Sequence, residues 1–210
     1  MTLPHARLVL ATHNRGKLVE LRQILGAEPG LDLADNAVIS AADLQTPEPV
    51  EDGVTFEANA LIKARALAAA TGLPAVADDS GLAVDVLGGA PGIFSARWAG
   101  RHGDDRANLD LLLAQLADVA DGDRAAGFVC AAALVTPSGE EVVRTGALRG
   151  DLLRAPRGDG GFGYDPVLRP TGMDRSCAEL APAEKNAISH RGQAFRALAP
   201  EIARVLRESV

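Results

Sequence analysis

Residues 7–25, RLVLATHNRGKLVELRQIL, contain the strand, loop and helix that open an α/β fold. Arg7 to Thr12 predict an opening β-strand around the short apolar run from Leu8 to Ala11, and apolar residues recur at helical spacing after Gly16. The loop between them, THNRGK, is predicted to direct backbone N–H groups and the positive end of a helix at an anion. The apolar residues that predict the helix are Leu18, Leu21, Ile24 and Leu25.

Strand and helix patterns continue along the chain. Thr55 is a candidate N-cap for a helix that closes at Gly72, and Asn59 and Lys63 share one face of that helix because they are four residues apart. Residues 74–77 predict a strand that leads into Asp78, Asp79, Ser80 and Gly81, and residues 82–87 are a second strand candidate.

The later part of the chain predicts a hairpin and more helices. Asp104 is expected to cap a helix through Val119, and residues 127–136 and 141–148 suggest paired strands around a Pro-Ser-Gly turn. In the helical last thirty residues, Pro182 lies near a helix start, and Pro200 is expected to interrupt or restart the final helix. These patterns predict an α/β fold in which helices flank a mixed sheet, and residues 1–210 read as one domain.

Composition restricts the class of protein. A net charge of −7 and a pI near 5.1 argue against a nucleic-acid coat, which needs an extended basic surface. No apolar run is long enough to span a membrane, and the N-terminus does not read as a signal peptide. The two cysteines form neither a disulfide framework nor a zinc-binding spacing, which favours a reducing cytoplasm.

Lysine is rare in this chain. Only three of the 21 basic residues are lysines, namely Lys17, Lys63 and Lys185. In a chain that otherwise selects arginine, a lysine can mark a position that needs a compact point charge. The alternative is that the three lysines have no shared role.

Two adjacent acids follow the predicted strand at residues 74–77. Burying Asp78 and Asp79 together is costly unless a positive group lies beside them. Mg²⁺ is the economical partner, because it prefers carboxylate oxygens, water and phosphate, and Glu51 is a candidate second ligand beside Asp79. The alternative is that the pair caps a helix or forms a turn.

A glycine-rich segment, GGFGYDP, carries two of the few aromatic residues of the chain. Phe162 lies between Gly161 and Gly163, which leaves room for a flat nucleobase to stack on its ring. His190 and Arg191 are candidate donors to a base carbonyl or a phosphate. The alternative for the glycine-rich segment is a hairpin corner, and the alternative for His190 and Arg191 is a solvated helix surface.

Taken in order, five segments resemble the inosine triphosphate pyrophosphatase (Ham1-like) family, which clears non-standard purine nucleotides. The resemblance extends over nearly the whole chain, and all three lysines fall within it. Trp98 departs from the pattern, because a tyrosine is common at this position, and His13 occupies a variable one. The segments are THNRGK, EDGVTFEANALIKARA, ADDSGLAVDVLGGAPGIFSARWAG, GGFGYDP and AELAPAEKNAISHRGQAFRAL.

The resemblance implies an elongated mixed sheet, two lobes with the active site in a central cleft, and a homodimer. It implies that Asp79 is catalytic and binds Mg²⁺ together with Glu51, while Asn59, Lys63, Asp78 and Arg97 support the site. The implied nucleotide contacts are Thr12, His13, Asn14, Arg15, Gly16, Lys17, Ser80, Phe162, Gly163, Tyr164, Asp165, Lys185, His190 and Arg191.

The implied reaction converts ITP, dITP or XTP to the nucleoside monophosphate and pyrophosphate, by attack of a water molecule on the α-phosphorus. Two other functions remain open: a related pyrophosphatase for pyrimidine or other modified nucleotides, and a non-catalytic nucleotide-binding module. The second fits less well, because no GxGxxG opens the first helix.

Overall fold

The structure is a computed structural model that describes residues 6–12, 15–27, 29, 33–34, 36–44 and 49–208. Its strands are β1 (Leu8–Leu10), β2 (Val38–Ser40), β3 (Ala75–Val84), β4 (Ala125–Val135), β5 (Glu141–Leu152) and β6 (Leu168–Pro170). Its helices are α1 (Arg15–Gly26), α2 (Phe56–Thr71), α3 (Asp105–Gln115), α4 (Pro182–Ile188) and α5 (His190–Glu208).

The six strands form one sheet in the order β2-β1-β3-β4-β5-β6. β1 pairs in parallel with both β2 and β3, whereas β5 and β6 pair antiparallel. β4 and β5 are neighbours joined by a short turn, in which the amide of Thr136 donates to the carbonyl of Glu140 at 2.9 Å. The predicted hairpin and mixed α/β sheet are therefore confirmed.

The chain divides into two compact units, each with its own core. Unit 1 comprises residues 1–79, 131–145 and 191–210, and unit 2 comprises residues 80–130 and 146–190. In unit 1, small side chains of α2 such as Ala60 and Ala64 pack with β1, β3 and β4. In unit 2, leucines of α3 pack with Phe128, Tyr164 and other apolar residues.

Helix α2 begins and ends where the sequence predicts. Thr55 has extended backbone angles, and its hydroxyl accepts a hydrogen bond from the amide of Ala58 at 3.1 Å. Gly72 ends the helix with a φ of 68°, a left-handed conformation that costs glycine little. These two caps set where α2 begins and where it ends.

A buried arginine ties α3 to the end of β5 in unit 2. Arg124 is 2% exposed, and its guanidinium donates to three backbone carbonyls. These belong to Leu116 at 2.7 Å, Leu152 at 2.8 Å and Leu153 at 3.1 Å. The side chain is therefore a second donor to the carbonyl of Leu116, which directly follows α3 and also accepts the amide of Val119 at 3.1 Å.

Three sequence predictions about element boundaries were wrong. Residues 82–87 do not form a separate strand, because β3 continues to Val84 with Leu82 and Val84 fully buried, and a 3₁₀ turn follows. Helix α3 ends at Gln115 instead of Val119. Pro200 does not interrupt α5, because it lies on the exposed side of a helix whose buried face outweighs the missing hydrogen bond.

Among the residues described, the helices are too short or too polar to cross a bilayer.

Candidate active site

Two side chains of α2 hold the predicted catalytic acid in unit 1. Asn59 Nδ2 donates to Asp79 Oδ2 at 3.1 Å, and Lys63 Nζ lies 3.4 Å from Asp79 Oδ1. Asn59 and Lys63 are one helical turn apart, so both reach the same carboxylate on β3. Each oxygen of Asp79 is therefore held by a different donor.

Glu51 completes a cluster with the same lysine. Lys63 Nζ lies 3.2 Å from Glu51 Oε1, so one ammonium bridges Glu51 and Asp79. Burial lowers the pKa of Lys63, but the nearby charges of Asp79, Glu51 and Asp78 raise it, and the net shift is upward. Lys63 therefore remains positively charged at neutral pH.

The pKa of Asp79 is raised, first because burial disfavours the charged carboxylate. Lys63 and Asn59 lower it, whereas the negative charge of Glu51 raises it further. Two carboxylates share one ammonium, so the cluster carries an excess of negative charge that a cation would neutralise.

The donor set of this cluster matches the chemistry of Mg²⁺. In the part of the chain that the structure describes, no group of three His, Cys, Asp or Glu side chains is placed to hold a metal ion. Mg²⁺ does not need such a group, because it is commonly bound by one or two carboxylates together with water and phosphate oxygens. Glu51 and Asp79 fit that requirement.

Asp78 has a different partner from Asp79. Its carboxylate is buried, and Oδ2 accepts a hydrogen bond from Arg191 Nε at 3.1 Å. Adjacent residues of a strand point to opposite faces, which explains why the two acids contact different groups. Asp78 therefore holds the first turn of α5, and it orients a residue predicted to contact the nucleotide.

In unit 2, Asp165 organises the glycine-rich loop. Asp165 is 3% exposed, and its Oδ2 accepts the backbone amide of Phe162 at 2.8 Å and an ion pair from Lys185. A Cβ at Gly161 would collide with the same carboxylate, so only glycine fits there. The carboxylate of Asp165 thus holds Phe162 and Lys185 in place, and its own contact with the nucleotide stays a prediction.

Phe162 presents its ring to solvent at the tip of this loop. It is 58% exposed, and Lys185 Nζ lies 5.3 Å from the ring centroid. The next residue, Gly163, donates its amide to Asp105 Oδ2 at 2.9 Å. An exposed aromatic ring on an anchored loop with a cation beside it is a suitable surface for stacking a nucleobase.

The remaining predicted residues of unit 2 are held by protein contacts. Tyr164 is buried, and its hydroxyl donates to the carbonyl of Ser95 at 3.0 Å. His190 is buried and stacks on Phe128 with ring centroids 5.0 Å apart.

Two further predicted residues of unit 2 are Arg97 and Ser80. The guanidinium of Arg97 lies 5.3 Å from the centroid of the Phe94 ring. Ser80 follows Asp79 within β3. Nucleotide contact by Tyr164, His190 and Ser80 stays a prediction, and so does a supporting role for Arg97.

The predicted phosphate loop is only partly described. Thr12 is buried directly after β1, and its amide donates to the carbonyl of Leu10 at 2.8 Å. His13 and Asn14 lie outside the described residues. Arg15, Gly16 and Lys17 form the first turn of α1, but the structure does not describe their side chains. Their part in phosphate binding stays a prediction.

Two residues that position this machinery were missed from the sequence. Gly53 packs against Asn59, because a Cβ there would lie 2.6 Å from Asn59 Oδ1. The signal available was a glycine two residues after Glu51, just before a helix cap. Asp105 anchors Gly163 across 58 residues of sequence, and no local pattern identifies so distant a partner.

Known proteins resemble this chain in sequence and in fold. A sequence model of the Ham1 family matches residues 8–201. The dITP/XTP pyrophosphatase of Streptomyces coelicolor is 64% identical over 200 residues, which cover 95% of this chain and 98% of that protein. The dITP/XTP pyrophosphatase of Mycobacterium tuberculosis is 57% identical over 197 residues, which cover 93% of this chain and 95% of that protein.

Solved structures show the same fold. A HAM1 protein from Coxiella burnetii superposes with a TM-score of 0.85 at 41% identity, covering 95% of this chain and 99% of that one. A nucleoside-triphosphatase / dITP/XTP pyrophosphatase from Mycobacterium abscessus superposes with a TM-score of 0.78 at 52% identity. The match covers 93% of this chain and 99% of that one. These matches confirm the resemblance found in the sequence, and the chain belongs to the Ham1 family.

Proposed function

We propose that this chain hydrolyses the non-standard purine nucleoside triphosphates dITP, ITP and XTP to the nucleoside monophosphate and pyrophosphate. The relatives at 64% and 57% identity bear the name dITP/XTP pyrophosphatase, and they align with nearly the whole chain. The observation that carries the proposal is the cluster of Glu51, Lys63 and Asp79, in which two carboxylates share one ammonium. A non-catalytic nucleotide-binding module has little need for such a cluster.

Mg²⁺ is the cofactor that we propose, with Glu51 and Asp79 as its protein ligands. When bound, it would neutralise charge on the triphosphate oxygens and so favour the departure of pyrophosphate. Lys63 keeps both carboxylates together and balances part of their charge. This arrangement holds the two acids close to one another.

Asp79 has the second role of orienting the attacking water and accepting its proton. The water attacks the α-phosphorus in line with the bond to the leaving pyrophosphate. Asn59 and Lys63 hold the two oxygens of Asp79, so the direction in which it accepts a proton is fixed. Lys17 is proposed to stabilise charge on the leaving phosphates.

Base recognition is assigned to the loop that Asp165 organises. Phe162 offers its exposed ring for stacking, and Lys185 beside it is a donor suited to a carbonyl oxygen. Inosine and xanthosine carry a carbonyl at the purine 6-position, where adenosine carries an amino group. A site built from hydrogen-bond donors therefore discriminates against adenosine, because these donors would face its amino group, which is itself a donor.

The test is product analysis with the purified chain. Incubation with dITP or XTP and Mg²⁺ should release pyrophosphate, and phosphorus NMR distinguishes it from stepwise release of orthophosphate. dTTP and UTP, assayed in parallel, would reveal a pyrimidine-directed pyrophosphatase. Tight nucleotide binding without pyrophosphate release would contradict the proposed enzyme.

One substitution tests the catalytic acid directly. Asp79→Asn should abolish turnover, a loss of about 10²-fold or more, while the fold is retained. Asp110→Asn is the matched control, because Asp110 forms an exposed pair with Arg106 on α3. Near-normal activity of Asp79→Asn would refute the role of this residue.

The assembly and location that we propose are a homodimer in the cytoplasm. Both cysteines are buried and free, which suits a reducing compartment. Size-exclusion chromatography with light scattering tests the dimer, and a monomeric mass at working concentration would contradict it.

A further inference from the structure

Asn59 is a buried polar residue whose side chain is directed at a predicted catalytic group. It is 1% exposed, and its Nδ2 donates to Asp79 Oδ2 at 3.1 Å. Its backbone amide donates to the carbonyl of Thr55 at 3.1 Å, so the residue is fixed by the first turn of α2. The backbone of this helix thus sets the direction of the amide.

The two donors to Asp79 differ in charge. Lys63 approaches Oδ1 as a cation at 3.4 Å, whereas Asn59 approaches Oδ2 as a neutral amide. A second lysine in place of Asn59 would cancel the negative charge that a divalent cation needs. An amide orients the carboxylate and leaves that charge in place.

The other side of the Asn59 amide faces the segment that carries Glu51. Asn59 Oδ1 has no hydrogen-bond partner among the residues that the structure describes. A Cβ at Gly53 would lie 2.6 Å from this oxygen and 2.8 Å from Ala58 Cβ, closer than real side chains approach. Gly53 therefore allows the segment two residues after Glu51 to lie directly against Asn59.

We propose that Asn59 is a positioning residue, which orients the Asp79 carboxylate and, through its contact with Gly53, sets the place of the segment that bears Glu51. The inference rests on the proposed function, because it assigns Asn59 a role in that same acid pair. Asn59 itself does not touch the reacting atoms. It acts through Asp79, as residues around metal ligands commonly do.

The chain contains a matched control in Asn108. Asn108 is also 1% exposed, is also the fourth residue of its helix, and also donates its backbone amide to the N-cap residue, here Asp104. Among the described residues its side chain, however, bonds only to backbone: Oδ1 accepts from the amide of Ala99 at 2.7 Å, and Nδ2 donates to the carbonyl of Ala96 at 3.1 Å. Substitution of Asn108 therefore measures the effect of losing a buried asparagine that has only a structural role.

The first experiment compares Asn59→Leu with Asn108→Leu in steady-state hydrolysis of dITP and in thermal unfolding. Asn59→Leu should lower kcat about 10- to 100-fold, with little change in KM. Asn108→Leu should lower the Tm and leave kcat unchanged below its unfolding transition. If Asn59→Leu also lowers only the Tm, the inference is overturned.

A second variant covers the possibility that Asn59→Leu does not fold. Gly53→Ala leaves Asn59 intact but displaces it, and it should lower kcat in the same way. Gly26→Ala is the control, because a Cβ there meets nothing within 4 Å. Unchanged kcat in Gly53→Ala would contradict the proposed contact.

A double-mutant cycle supplies a readout that does not depend on catalysis. The Tm shift of Asn59→Leu is measured in the wild-type background and in Asp79→Ala. If Asn59 acts through Asp79, the two shifts differ; additive shifts would overturn the inference. A wild-type chain that releases no pyrophosphate would instead refute the proposed function, and the cycle would still test the contact.

Discussion

Arg191 Nε donates a hydrogen bond to Asp78 Oδ2 at 3.1 Å, and the Asp78 side chain is 1% exposed. This pair connects the first turn of α5 to the middle of β3, 113 residues earlier in the chain. A carboxylate that is so deeply buried depends on its partner far more than a surface carboxylate does.

We therefore predict that Arg191→Gln lowers the free energy of unfolding by about 3 kcal/mol, because it leaves the buried charge of Asp78 without this arginine. Chemical denaturation measures the effect. The control is Arg175→Gln, since the Arg175 pair with Glu184 is half-exposed on both sides. Similar stabilities for the two variants would show that burial of the Asp78 pair has no energetic consequence.

Lys63 should matter for catalysis, whereas a neighbouring cation on α2 should not. We predict that Lys63→Met lowers kcat/KM for dITP about 10²-fold, because Glu51 and Asp79 lose the ammonium that holds them together. Arg65→Met, two residues later, removes only an exposed pair with Glu141 and should leave kcat/KM unchanged. Equal effects of the two substitutions on pyrophosphate release would contradict this assignment.

The exposed ring of Phe162 should contribute to nucleotide affinity. Loss of base stacking costs about 1–3 kcal/mol, so Phe162→Ala should raise KM about 5- to 150-fold and change kcat less. Phe94 is a matched control, since it is 49% exposed and has Arg97 at 5.3 Å, the same distance that separates Lys185 from Phe162. An unchanged KM in Phe162→Ala would rule out stacking on this ring.

Both thiols should resist modification while the chain is folded. Burial, followed by the nearby charge of Asp165, raises the pKa of Cys177 to about 12, so its reactive thiolate is scarce at about pH 8. The stability that this shift contributes is present below the ordinary thiol pKa and declines as the pH rises toward about 12. We predict that Ellman's reagent labels neither Cys130 nor Cys177 until denaturant is added. Rapid labelling of the native protein would contradict their burial.

Local patterns predicted much of unit 1 correctly. The spacing of Asn59 and Lys63 placed both on one face of α2, and Thr55 and Gly72 were identified as caps from residue type alone. These features depend on neighbours within a few residues, where helix geometry and backbone angles determine the outcome.

Long-range partners could not be predicted in this way. Alternation along a strand implies that Asp78 and Asp79 point to opposite faces, but nothing in the sequence pairs Asp78 with Arg191. Similarly, no sequence pattern showed that the carboxylate of Asp165 would hold Phe162 and Lys185, and its contact with the nucleotide stays a prediction. Such partners are set by how distant segments pack, which a single sequence does not display.

The buried guanidinium of Arg124 has a consequence for how unit 2 opens. It binds carbonyls from the end of α3 and from the end of β5, so neither segment can detach without leaving a buried donor unsatisfied. In native-state hydrogen exchange, amides in the last turn of α3 should therefore become accessible together with those at the end of β5. This one side chain makes a helix terminus and a strand terminus a single cooperative opening unit.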